Sequence, residues 1–247
     1  MSDSNLTLLH GWGMPARIFD PLLASLSGRL RTNTPPLPGY RASRWPAGLG
    51  FEREIETMAR DLPAGALLGW SLGGIYALEL CRRHPGKFSP LILVACNPCF
   101  VIRDDWPCAI AAQVFDEFGR ELRDDWRRTL RRFLALQLQG ETAQRELARE
   151  LWQKITDIGP PDVAVLEYGL GLLKSHDSRS ALAALEQPAS LLLGERDRLV
   201  PIALRRQIAE IAPAIRVESI AGAAHAPFLS HPEAVAACID LPAARTS

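Results

Sequence analysis

The chain has 247 residues, 47% hydrophobic and 23% charged, with 28 basic and 28 acidic side chains and a formal net charge of zero. That composition suits a globular chain long enough to bury a substantial core, and the charge balance gives no global attraction to nucleic acid or an anionic membrane. No run of about 18 apolar residues occurs, and MSDSNLTLLHGWG lacks the basic and long apolar regions of a secretory signal, so a cytoplasmic monomer without nucleic-acid or membrane partners is expected.

Leu6–Leu9 reads as a buried strand running into the glycine turn His10-Gly11-Trp12-Gly13. Helical spacing follows over Pro15–Leu30, then the rigid stretch Pro35, Pro36, Pro38, Gly39. Phe51–Leu62 is expected as helix, Ala66–Gly69 as strand, Gly73–Arg83 as helix with Pro85 just beyond, and Pro90–Ala95 as a covered strand. From about Arg103 to His176 the texture becomes purely helical. A strand returns at Ala189–Gly194, followed by helix Ile202–Ile211, strand Ile215–Ile220 and helix Pro232–Ile239. Alternating strands and helices predict an α/β fold, a mostly parallel sheet with helices on both faces. The expected core is 1–102 and 177–247, with 103–176 inserted as a helical cap.

Five cysteines at irregular spacing (Cys81, Cys96, Cys99, Cys108, Cys238) speak against a disulfide framework. Cys96 and Cys99 form a C-x-x-C, but it follows an apolar strand and has no second pair, so small residues in a loop are favoured over a metal or redox site.

Gly69-Trp70-Ser71-Leu72-Gly73 matches G-x-S-x-G between a strand and a helix. A nucleophile there needs a very sharp turn, and flanking side chains would clash, hence the glycines. A serine hydroxyl needs a base, and the base needs a carboxylate to hold its tautomer. His225, in a small-residue loop after the last strand, is chosen over His10, His84, His176 and His231. Asp197, in Gly194-Glu195-Arg196-Asp197, is favoured over Glu195 as the acid. The oxyanion donors are expected to be the N–H groups of Leu72 and Trp12, with the Trp12 side chain lining an acyl pocket. No metal or organic cofactor is called for.

LLHGWGM, LGWSLGG, Pro98–Phe100, RRFLALQ at Arg131–Gln137 and AAHAPFLSHP at Ala223–Pro232 together resemble the pimeloyl-acyl-carrier-protein methyl ester esterases of biotin synthesis, an α/β-hydrolase family. The resemblance runs from about Leu6 to Leu241. It implies hydrolysis of a methyl ester on a pimeloyl chain carried by acyl carrier protein. It also implies substrate contacts at Trp12, Ser71, Leu72, His225 and the segment Phe133, Leu134, Ala135, Leu136, Gln137. The chain begins almost at the Leu6–Leu9 strand, so the N-terminal hairpin usual in this fold is expected to be absent or trimmed, which should expose a sheet edge.

Seven basic residues stand between Arg127 and Lys154 against three glutamates. Arg128 and Arg132 share a helix face, as do Arg145 and Arg149. Alone this would read as a solvated surface; beside the resemblance it reads as a face for an acidic carrier protein. A broad short-chain esterase, thioesterase or carbon–carbon hydrolase on the same scaffold, or a non-catalytic binding module, are the alternatives.

Overall fold

The computed structural model describes residues 5–26, 30–159 and 161–239. Six strands form one sheet in the order β2-β1-β3-β4-β5-β6: β1 (Asn5–Leu9), β2 (Arg31–Asn33), β3 (Gly65–Trp70), β4 (Phe88–Val94), β5 (Ala189–Gly194) and β6 (Arg216–Ile220). All five strand pairings are parallel. Leu6, Leu8, Leu67, Leu68, Leu91, Leu93, Leu191 and Leu193 are buried, so successive residues on both faces are covered. This is why these strands read as continuous apolar runs rather than alternating ones.

Helix α3 (Leu72–Arg83) packs on β1, β3 and β4 and is buried almost all round. Beside it lie α2 (Phe51–Asp61) and α8 (Arg179–Ala183), and α8 meets α9 (Leu204–Ile211). A second group, α1 (Asp20–Ser25), α10 (Pro227–Ser230) and α11 (Pro232–Cys238), packs together, with α11 on β6.

At one edge of the sheet stands β2, three residues with no apolar side chain, paired to β1. One expectation changes. The helix expected over Pro15–Leu30 is a 3-10 turn, Ala16–Phe19, followed by the short α1; Ser27, Gly28 and Arg29 lie outside the described residues.

Between β4 and β5 the chain leaves the sheet and builds α4 (Ala112–Asp124), α5 (Trp126–Gln137), α6 (Gln144–Ile158) and α7 (Val163–Ser175). The two connections meet at a neck. Ser178 N–H donates to Pro98 O at 2.7 Å, and Arg179 grips Asp177 and Asp105 while its guanidinium lies 5.3 Å from the Trp106 ring. Asp125 begins α5 by accepting the Arg128 N–H at 3.0 Å, an N-cap. Further ties join the helical block to the rest of the chain, among them Lys154 to Asp20 (3.0 Å), the Trp12 indole to Leu166 O (2.7 Å), and His225 N–H to Gln137 O (3.1 Å).

Candidate active site

Ser71 sits between β3 and α3 with φ +53° and ψ −117°, a conformation L-residues rarely adopt. The surrounding glycines make the turn possible. A Cβ on Gly73 would lie 2.1 Å from Leu9 O, and one on Gly69 would lie 2.5 Å from Gly73 O. Ser71 N–H donates to Val94 O at 3.0 Å, fixing the turn to β4.

Asp197 and His225 emerge from the loops after β5 and β6. Asp197 Oδ2 lies 2.8 Å from His225 Nδ1, and its Oδ1 accepts the N–H groups of Leu199 (2.8 Å) and Val200 (3.0 Å). An ionised carboxylate only accepts, so Nδ1 carries the imidazole proton and Nε2 is free to act as a base. Nε2 is buried and has no hydrogen-bond partner among the described residues. Both residues are buried, and both Ser71 and His225 open onto one pocket. Glu195, the other candidate acid, is exposed and accepts Gly222 N–H at 3.2 Å. His231 is paired with Ser230 Oγ at 2.8 Å and precedes α11. His10 is buried, accepts Leu37 N–H on Nε2 (2.9 Å) and faces Gly11 O through Nδ1; burial pushes its pKa down to about 4.

Leu72 N–H opens α3, where the helix supplies no acceptor and its dipole favours negative charge. Among the described residues neither this N–H nor that of Trp12 donates to a backbone carbonyl. Gly13, next in the same turn, is held by Tyr40 Oη at 2.8 Å.

The pocket has a volume of about 310 Å³ and is walled by Phe100, Phe115, Phe118, Phe133, Leu136 and Leu170, with Arg132 and Arg198 also on its lining. Of the expected segment 133–137, Phe133 and Leu136 reach it. Leu134 is buried, Ala135 is exposed, and the Gln137 side chain is buried with neither amide atom partnered. A helix turns about 100° per residue, so five consecutive residues cannot share one wall. The Trp12 ring is also absent from the lining. It is fully buried, edge-on to Phe133 at 4.8 Å, with its N–H given to Leu166 O. It backs the wall and ties it to α7.

Arg128, Arg145 and Arg149 are exposed on α5 and α6, and their guanidinium groups have no ion-pair partner among the described residues. Arg132 differs: it pairs with Glu121 of α4 at 2.7 Å and lies over Phe118. Cys96 is buried under Gly74, and Cys99 Sγ faces Val101 O and Arg103, so the two thiols serve separate contacts. No helix among the described residues is long and apolar enough to cross a membrane.

Trp70 and Glu141 carry no site expectation from the sequence, and Gln137, expected as a substrate contact, meets His225 through its backbone carbonyl. The Trp70 indole donates to His225 O at 2.8 Å, Gln137 O accepts His225 N–H, and Glu141 Oε1 accepts Ala224 N–H at 2.7 Å. Each acts on backbone, so no motif of side-chain types announces it.

The model of the alpha/beta hydrolase family matches residues 8–238. The chain is 41% identical to the pimeloyl-(acyl-carrier protein) methyl ester esterase of Sodalis glossinidius, over 93% of this chain and 90% of that one. It is 38% identical to the protein of the same name from Aromatoleum aromaticum, over 97% and 98%. Among solved structures, an esterase from Exiguobacterium antarcticum superposes with a TM-score of 0.85 at 21% identity, covering 96% of this chain and 91% of that one, a likeness of fold. The chain belongs to the alpha/beta hydrolase family, on the branch that holds these two esterases.

Proposed function

We propose that this chain is a serine carboxylesterase that removes the methyl ester from a pimeloyl chain carried on acyl carrier protein, in biotin biosynthesis. The observation that carries the chemistry is the 2.8 Å Asp197–His225 contact opening, with Ser71, onto an apolar pocket of about 310 Å³. The relatives' shared name carries the substrate.

Ser71 Oγ attacks the ester carbonyl while His225 Nε2 takes its proton. Asp197 stabilises the imidazolium, and the Trp12 and Leu72 N–H groups hold the oxyanion. His225 returns the proton to the departing methanol. Water, activated by the same imidazole, then releases the free carboxylate and restores Ser71. In this reading the phenylalanine-rich wall takes the apolar acyl chain, and segment 103–176 is the cap. Arg128, Arg132, Arg145 and Arg149 present positive charge to the acidic carrier, with Arg132 nearest the pocket. The working form is a cytoplasmic monomer with five free thiols.

The test is incubation with methyl pimeloyl-acyl carrier protein beside a Ser71→Ala variant, followed by intact mass. Demethylation by the wild type alone supports the reading. Cleavage of p-nitrophenyl esters through Ser71 without demethylation assigns a broad short-chain esterase instead.

A further inference from the structure

The turn between α5 and α6 reaches out of the helical block onto the loops that carry the base and the acid. Gln137 O, at the end of α5, accepts His225 N–H at 3.1 Å. Gly140 O accepts Arg196 Nη1 at 2.9 Å, one residue before Asp197. Glu141 Oε1 accepts both Ala224 N–H (2.7 Å) and Ser230 Oγ–H (2.9 Å), one residue before His225 and five after it. Glu141 is 83 residues from Ala224 in the chain, is 8% exposed, and is absent from the pocket lining.

A buried carboxylate needs donors, and this one takes them from the two ends of the base-bearing loop. We infer that Glu141 is a positioning residue for the reaction: it fixes the Ala224–His225 peptide, and through it the reach of the imidazole to Ser71. The inference rests on the Ser71–His225 reading above. The core holds the other side of the same residue through the Trp70 indole on His225 O. The base is therefore clamped between sheet and cap, and the α5–α6 turn stays seated on the base loop when substrate enters. The same turn joins the two helices that carry Arg128, Arg132, Arg145 and Arg149.

Misplacing a reacting group by about 1 Å can cost on the order of a hundredfold in rate. Glu141→Ala should lower kcat for p-nitrophenyl acetate by roughly ten- to a hundredfold, with KM within about threefold of wild type. Glu141→Gln keeps an acceptor oxygen at the same reach and should recover most of the rate. Glu141→Asp keeps the charge but falls one methylene short of Ala224 N–H, and should be slow. Rates are taken per folded molecule, and labelling of Ser71 by a fluorophosphonate should follow the same order. If Glu141→Ala does not fold, the Gln–Asp pair carries the comparison. Near-wild-type rates in the Ala and Asp variants, or a Gln variant as slow as Asp, would overturn the inference. Turnover surviving Ser71→Ala would instead overturn the reading on which it rests.

Discussion

Ser71 and His225 open onto the same pocket but are held by different parts of the molecule. Ser71, the proposed nucleophile, is fixed by backbone: the β3–α3 turn, the Val94 carbonyl, and glycines packed so closely that a methyl group has no room. His225, the proposed base, is fixed by polar contacts from three sources: Asp197 from the loop after β5, Trp70 at the end of β3, and the α5–α6 turn Gln137–Glu141. The strain at Ser71 is over-determined by the sheet, whereas His225 is held in addition by the helical block between β4 and β5. Under the proposal, that block acts on the chemistry by way of the base as well as through the pocket wall.

Several variants break or sharpen this contrast. The largest effect is expected at Asp197→Asn, which keeps the shape but removes the ionised acceptor that selects the tautomer. Turnover should fall by roughly 10⁴-fold, with Ser71 geometry intact by crystallography. Gly73→Ala attacks the other half. Its Cβ would meet Leu9 O at 2.1 Å, so urea unfolding should show a loss of about 4 kcal/mol or more, or no folded protein.

Next comes His10, the first residue of the glycine turn His10–Gly13. Its folded pKa is lowered by burial from 6.5 to about 4. The unfolded chain thus binds the proton first as the pH drops. The stability of the neutral, buried ring is intact above pH 6.5 and is lost progressively as the pH falls toward 4. The loss is about 3 kcal/mol over that window. The slope of unfolding free energy against pH between those values should be flatter in His10→Gln than in wild type. The smallest effect is on the cap surface: Arg128→Glu with Arg149→Glu should lower the ratio of carrier-bound to small-ester kcat/KM about tenfold, and added salt should shrink the difference.

The legible parts of this molecule are those where chemistry and backbone geometry coincide. Ser71 and Asp197 stand just beyond the buried strands β3 and β5, and His225 stands in a small-residue loop after the largely uncovered β6; the structure brings Asp197 within 2.8 Å of His225 and sets Ser71 and His225 on one pocket. The strand β2 was hidden because Arg31, Thr32 and Asn33 bury almost nothing; its pairing comes from β1, not from its own side chains. Segment 133–137 was legible as a motif but not as a surface, since helical rotation sends Leu134 inward and Ala135 outward. Trp12 was legible as part of the glycine turn, yet its ring packs on Phe133 and donates to Leu166 O rather than lining the pocket. Glu141 read as one more charge on a basic helical block, because its partners are a backbone N–H and a serine more than eighty residues away.

The central claim is that Ser71 is acylated by a carrier-bound ester with the cap-held His225 as base. The most direct test is rapid acid quench of the wild type turning over methyl pimeloyl-acyl carrier protein, followed by peptide mass spectrometry. The account predicts a transient adduct carrying the pimeloyl-carrier mass on the peptide containing Ser71, lost in Ser71→Ala together with all demethylation. Demethylation at the wild-type rate in Ser71→Ala, or an adduct on a different residue, would contradict it.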